Sequence, residues 1–444
     1  MLFLQQSDDV LLIIFRFCSR SSLLSLFTSS SELHSLVAPC ILRDVHLTRD
    51  HAQISSFLRY ITTHRRLPLA GNYVKSLNIA YTAIAPMSAT MEDGEEQESN
   101  SQNLSWATLL PSALSLMPNL RAFTLGYQVD KIFASYPDIA DRILKLKYLS
   151  SIQLSDIDTT AADFLCSREA NNGSLRNLKV VLKRHMKLVP VSSENGVGKI
   201  LIQNRNSLSK LFIANADFSA THFLESPNAV FPSVTTLSLT SYTASPLELS
   251  HAFPNVRVLT LTGSSTSPSS PTYTTPPNLL QDQSEDETLF PNVSSLYSDE
   301  PDLRTLLPSL PPSPPLSLSL SKLRHLSLNS ISLSKHSSSW FLKGANLAAL
   351  KSFKFCIWNA APSESWWRDL VHCVPNLEFL NATIRVDITF RDLVLIVRPF
   401  SFSQNLSLIH LIGRQTRPTF IPPAFKIHIA SHPPHRSPRP VSPP

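Results

Sequence analysis

Pro118-Asn119-Leu120-Arg121-Ala122-Phe123-Thr124-Leu125 is the stretch on which the fold turns. Behind a Pro-Asn turn it runs apolar, two variable, apolar, one variable, apolar. The same spacing stands upstream at Val74, Leu77 and Ile79. Downstream it returns at Leu149, Ile152 and Leu154; at Leu175, Leu178 and Val180; at Leu208, Leu211 and Ile213; at Val234, Leu237 and Leu239; and at Val256, Leu259 and Leu261. A weaker copy sits at Val293 and Leu296. Further copies follow at Leu323, Leu326 and Leu328; at Leu350, Phe353 and Phe355; at Leu377 and Leu380; and at Leu406, Ile409 and Leu411. The closing pair of apolar positions is two residues apart, the period at which strand side chains return to one face.

Ten steps separate Leu120 from Leu406, roughly 29 residues each, at the upper edge for a repeat made of one strand and one return segment. One such unit cannot bury its own apolar face, whereas a stack of them can. The return segments read as helices over 106–117, 139–147, 197–205 and 366–374. Pro-Asn or Pro-Ser precedes the first apolar residue at Pro118-Asn119, Pro232-Ser233, Pro254-Asn255, Pro291-Asn292 and Pro375-Asn376.

This array resembles the leucine-rich-repeat family. That family usually carries Asn or Cys eight residues after the first leucine; here Gln128, Ile157, Lys183, Ala216, Tyr242, Ser264, Ile331, Trp358 and Arg385 stand there. The expected fold is therefore α/β, an irregular leucine-rich-repeat solenoid with uneven curvature.

The first fifty residues read differently. Ser7 is placed to cap a helix whose first turn carries Asp8 and Asp9. Val10, Leu11, Ile13, Ile14, Phe15 and Phe17 follow, apolar nearly all round, so this helix needs cover on more than one side. After a serine break at Ser19–Ser22, a second helix is expected from Leu23 to Val37, ended by Pro39. Arg43 to Leu47 alternates like a short strand. Two such helices are too small to bury themselves and need another domain or another protein.

Asp9-Val10-Leu11-Leu12-Ile13-Ile14-Phe15, Leu23-Leu24-Ser25-Leu26 and the run from Ser31 to Pro39 with its exit at Leu42 to Leu47 resemble an F-box. Gln6-Ser7 stands where that family has Leu-Pro. The resemblance covers about a tenth of the chain. It implies a Skp-type linker subunit of a cullin–RING ubiquitin ligase as partner, bound through Asp9, Val10, Leu11, Ile14, Phe15, Leu23, Leu26, Leu36, Val37 and Pro39. The leucine-rich tails that often follow F-boxes hold a protein target.

Composition narrows the function classes. Charged residues make up 16% of the 444, and serine and threonine take up the difference. With 9 glycines and 34 prolines, glycine-rich phosphate loops are not expected. Asn195-Gly196-Val197-Gly198-Lys199 lacks the flanking glycine and hydroxyl of a phosphate loop, because Ser193 and Ile200 hold those places; it reads as a turn before a helix. The net charge of +6 is mild for this length and suggests no nucleic acid as ligand. Five cysteines, odd in number and without a CxxC pair, point to a reducing compartment, the cytoplasm or nucleus, and to no structural zinc. Val10 to Phe17 is too short to span a bilayer, and Asp8 and Asp9 precede it where a leader peptide carries basic residues. No combination of His, Asp, Ser or Cys assembles by spacing into a catalytic group, so no catalytic residue, metal or cofactor is expected. Trp366 and Trp367 are adjacent on an expected helix, about 100° apart, so one can face the core while the other serves as a target-binding anchor; a helix-packing role is the alternative reading.

The organisation expected from these readings is an F-box-like helical module over 1–50, a solenoid over 51–415 with disordered insertions near 88–104 and 262–288, and a disordered proline-rich basic tail over 416–444. The function expected is a non-catalytic adaptor. A leucine-rich scaffold unconnected to ubiquitin, with the N-terminal helices as its cap, is the alternative.

Overall fold

The computed structural model describes residues 8–63, 70–80, 104–164, 166, 175–183, 187–264, 289–306, 322–331, 347–357, 363–388, 408–415 and 427–429. The Ser7 cap, the Gln6-Ser7 pair, the insertion near 88–104, most of that near 262–288 and most of the tail lie outside these residues. The chain forms two compact units, 1–234 with 241–244, and 235–240 with 245–444.

The first unit opens with three helices, α1 (Asp8–Phe17), α2 (Arg20–Ser29) and α3 (Ser31–Leu42). The single helix expected from Leu23 to Val37 is thus two. Ser30 makes the break: its backbone is extended, and its hydroxyl accepts the Leu33 N–H at 3.1 Å, capping α3. Ser19 caps α2 in the same way through the Ser22 N–H at 3.2 Å. Pro39 does not end the helix. It sits inside α3, which continues to Leu42 with one N–H fewer.

The strand β1 (Asp44–Leu47) is the first rung of the stack, one step earlier than the leucine pattern starts. It pairs in parallel with β2 (Ser76–Ile79), after α4 (His51–Thr63) and a 3-10 turn at Ala70–Tyr73. The first long return path enters as a 3-10 segment, Leu104–Leu109, and continues as α5 (Leu110–Ser115). Then come β3 (Ala122–Leu125), α6 (Val129–Ser135), α7 (Asp138–Leu144), β4 (Ser151–Ile157), α8 (Thr159–Phe164), β5 (Asn177–Leu182), the two-residue β6 (Val189–Pro190), α9 (Gly196–Gln203) and β7 (Lys210–Asp217). The strands stack in chain order, all parallel, with β6 beside β7. From Phe218 to Val230 the return path is three 3-10 turns instead of a helix.

Register follows the repeat. Leu77, Phe123, Ile152, Leu178 and Leu211 are Cα partners across five rungs, and Ile79, Leu125, Leu154, Val180 and Ile213 form the next row. A one-residue slip would turn a whole row to solvent, so the buried face fixes the pairing.

The second unit repeats this plan. β8 (Thr236–Thr243) contributes residues 236–240 to it. β9 (Val258–Ser264), β10 (Ser295–Ser298), β11 (His325–Ile331), β12 (Ser352–Ile357), β13 (Phe379–Ile388) and β14 (Leu408–Gln415) follow as parallel neighbours. The helices α10 (Pro246–Ala252), α11 (Glu300–Leu306) and α12 (Glu364–Cys373) occupy return segments. Even the weak copy at Val293 and Leu296 is a rung; its third position is Ser298, buried, whose hydroxyl donates to the Asp299 carbonyl at 3.0 Å. A short β15 (Ile427–Ile429) pairs with β14, so the expected tail contains one further strand.

Where the family's Asn is missing, the turn after the strand is built differently. Seven residues after the first apolar position, Asp156, Asn215, Ser241 and Gly263 take positive φ. At Asp156 the β4 register shifts, and the residue after it turns inward. Ile157, Ala216 and Tyr242, each eight residues after the repeat's first apolar position, are accordingly buried. Apolar packing stands where the family's Asn would bond the turn.

Candidate docking site

The three N-terminal helices form a small core of their own from Leu11, Phe15, Leu23, Leu33, Val37 and Ile41. The Phe27 and His34 rings, 3.8 Å apart, hold α2 against α3. The cluster is tied to the stack by Arg20, whose guanidinium donates to the Asp44 carbonyl at 3.0 Å.

The ten residues expected to bind the linker subunit divide by position. Leu11, Phe15, Leu23 and Val37 are buried in this core. Leu26, Leu36 and Pro39 are half-buried. Val10 and Ile14 are exposed. The Asp9 side chain lies outside the described ones.

Three exposed residues that the resemblance did not nominate complete the surface. Phe17 is 87% exposed, Ile13 54% and Leu24 46%. Val10, Ile13, Ile14 and Phe17 stand at i, i+3, i+4 and i+7, within an arc of about 100° at roughly 100° per residue. Leu11 and Phe15 point to the helical core on a second arc. Leu12 and Arg16 occupy a third, where they line a cavity of about 530 Å³ against α3 and the first rungs. The all-round apolarity of α1 is thus three separate faces. Sorting the same residues by helical spacing, instead of by motif, picks out the exposed stripe from the sequence.

The other candidates have structural roles. Trp366 and Trp367 are both buried, so neither is a surface anchor. Trp366 packs edge-on against Phe355, centroids 5.6 Å apart, and against Trp367 at 4.9 Å. Trp367 also packs on Phe355 of β12, centroids 5.9 Å apart. Asn195 caps α9 by accepting the Gly198 N–H at 3.1 Å, as its reading as a turn required. Its glycines are needed for close approach: a Cβ at Gly196 would collide with the Ala162 backbone, and one at Gly198 with the Ser192 carbonyl. Cys166 donates to the Gly196 carbonyl at 3.1 Å, and its thiol is pushed up to about 12, first by burial and then by the Asp163 carboxylate. Burial also raises the Cys40 thiol, against the pull of Arg16 and Arg43. Both thiols are poor nucleophiles at neutral pH.

Among the described residues, no group of three or more His, Cys, Asp or Glu is placed to hold a metal ion, and no helix is long and apolar enough to cross a membrane.

No protein-family model matches the chain, and no curated protein matches it. Among solved structures, a chain from the crystal structure of a Rad7 and Elc1 complex in yeast is similar over 92% of this chain and 92% of its own, at 14% identity and a TM-score of 0.42. A likeness that distant supports no functional conclusion.

Proposed function

We propose that the chain is the substrate-recognition adaptor of a Skp–cullin–F-box type ubiquitin ligase. Residues 1–50 dock the linker subunit, the repeat array holds a protein target, and the chain positions its target without reacting. The observation that carries this reading is the stripe of Val10, Ile13, Ile14 and Phe17, which remains in solvent although Leu11 and Phe15 on the adjoining face of α1 are buried. Covering a side chain of this size contributes about 1.5–3 kcal/mol. A contiguous apolar patch of this kind on a soluble chain marks an interaction surface. The F-box-like order of the residues from Asp9 to Leu47 names the partner that fits it.

The cap reading has its own observation. α3 leads straight into β1, and the Arg43 carbonyl between them accepts the Lys75 and Ser76 N–H groups at 2.9 and 3.0 Å, so the helical module is continuous with the first rung. Capping accounts for Leu11 and Phe15. It leaves Ile13 and Phe17 without a function.

The test is capture of a purified Skp-type linker subunit by the full-length chain. Capture that is lost on Ile13→Asp with Phe17→Asp supports docking. Capture that survives this change, or is absent with the unaltered chain, removes it.

A further inference from the structure

The cavity beside α1 has a chemistry that docking on the opposite stripe does not use. Its apolar wall comes from Leu12, Phe15 and Pro39, and three cations, Arg16, Arg43 and Lys75, stand around it. Its volume, about 530 Å³, is in the range of sites that enclose a ligand group.

The cations continue along the sheet. At the residue after the first apolar position of successive rungs stand Arg43, Lys75, Arg121, Ser150 and Arg176. Backbone hydrogen bonds fix this column. The Lys75 carbonyl accepts the Arg121 and Ala122 N–H groups at 2.8 and 3.1 Å, and the Arg121 carbonyl accepts those of Ser150 and Ser151 at 2.8 and 3.0 Å. The Ser150 carbonyl does the same for Arg176 and Asn177. Adjacent rungs are about 4.8 Å apart, so Arg43, Lys75 and Arg121 hold three positive charges within about 10 Å of backbone. Arg43, Arg121 and Arg176 are exposed and Lys75 is half-buried. Arg43 has Asp44 at 3.8 Å, with both side chains more than half exposed. No carboxylate among the described residues pairs with Lys75, Arg121 or Arg176.

We propose that the cavity and this cation column form one binding site, whose ligand is an extended acidic segment of a protein carrying a large apolar side chain. The apolar side chain enters beside Leu12 and Phe15, and flanking carboxylates lie along Arg43, Lys75 and Arg121. An extended peptide presents every second side chain to one face, about 7 Å apart, which matches two carboxylates spread over three rungs. Arg forks suit carboxylates, and the low-dielectric cavity mouth strengthens the pairing. A nucleic-acid strand fits less well. The column is broken by Ser150, and of the two aromatic rings that line the cavity Phe15 is already packed in the helical core, which leaves Tyr73 by itself instead of a row of stacking rings. The inference rests on the adaptor reading only in calling this segment the target.

The test uses the full-length chain and fluorescein-labelled heptapeptides: Glu-Asp-Glu-Leu-Phe-Asp-Glu, the same peptide with Lys for each acid, and the same with Ala for Leu and Phe. A single-stranded oligonucleotide of equal charge is the fourth probe. The acidic apolar peptide is expected to bind most tightly, by at least tenfold over the others, and to weaken as salt rises. Arg43→Glu with Arg121→Glu, both at exposed positions, is expected to lower that affinity at least tenfold, while Arg324→Glu in the second unit leaves it unchanged. Linker capture by the Arg43→Glu, Arg121→Glu chain is expected to persist, because the stripe lies on another face of α1. Absence of linker capture by the unaltered chain, with its peptide binding intact, would count against the adaptor reading alone. No peptide binding, equal binding by the charge-reversed chain, or tighter binding of the oligonucleotide would overturn the proposed site.

Discussion

Asn119 donates its side-chain amide to the carbonyl of Asn72, 2.9 Å away and 47 residues earlier. Asn376 makes the equivalent bond to Ala348 at 2.7 Å and Asn292 to Pro254 at 3.3 Å, and the Ser233 hydroxyl reaches Asn206 at 2.7 Å. Each donor directly precedes the first apolar residue of its rung, and each acceptor lies two residues before that of the previous rung. The Pro-Asn and Pro-Ser turns are therefore clamps from rung to rung. They satisfy turn carbonyls at a position different from the one the leucine-rich-repeat family uses.

Removing one clamp leaves a carbonyl without its donor. Asn119→Ala is expected to destabilise the first unit by about 1 kcal/mol, the net worth of a hydrogen bond of this kind. Urea unfolding checks this, with Asn376→Ala giving a similar loss in the second unit. An unchanged midpoint for both would mean the bonds are incidental.

Asn215 combines two functions near the end of β7. Its φ is 63°, and its side-chain amide donates to the Leu182 carbonyl at 2.8 Å. Asn215→Ala loses both the tolerance of left-handed backbone and the bond, and is expected to cost about 2 kcal/mol. Asn215→Gly restores the backbone freedom and is expected to recover about half. Equal losses for the two variants in urea melts would show that the backbone conformation contributes nothing.

The Cys166 thiol gives a pH signature. Its ordinary value is 9.0, and in the fold it rises to about 12. Between those values the unfolded chain releases the proton while the folded chain keeps it, so stability falls as pH rises through that window. The raised Tyr60 and Lys183 groups act in the same direction. Cys166→Ala is expected to make the decline from pH 9 to pH 11 shallower without abolishing it. Identical slopes for the two chains would contradict the assignment.

Adjacent faces of α1 should respond in opposite ways. Phe15→Asp places a charge in the helical core and is expected to destabilise it by several kcal/mol. Phe17→Asp changes a solvent-facing residue and is expected to stay within about 0.5 kcal/mol of the unaltered chain. Circular dichroism melts distinguish them.

Much of the stack was legible because one signal, the spacing of three apolar positions, decides both strand and register. The pattern placed β2 to β5 and β7 to β14, including the weak rung at Leu296. The alternation of Arg43 to Leu47 reads as the short strand β1, but as the exit of the helical module and not as a rung of the stack; the two-residue β6 carries no pattern at all. The short return helices α6, α8, α10 and α11 span two turns at most, too little for a helical period to show. The break at Ser30 was obscured because leucine continues on both sides of it, and Pro39 was given more power to end a helix than a packed neighbour allows. The 100° between Trp366 and Trp367 leaves both core and surface open to them, and packing around Phe355 is what buries the two. At the N-terminus, motif resemblance named Leu11 and Phe15 beside Val10 and Ile14; only packing separates the residues that hold the helices together from those left in solvent.

The central claim is that the outer face of α1 is an interface for a linker subunit. Titrating a purified Skp-type linker into the full-length chain by isothermal calorimetry tests it most directly, with Ile13→Asp, Phe17→Asp as the comparison and circular dichroism confirming that both chains are folded. Saturable one-to-one binding by the unaltered chain, weakened at least a hundredfold in the folded variant, is the result the account requires. Absence of binding by the unaltered chain, or equal affinity of the two, would contradict it.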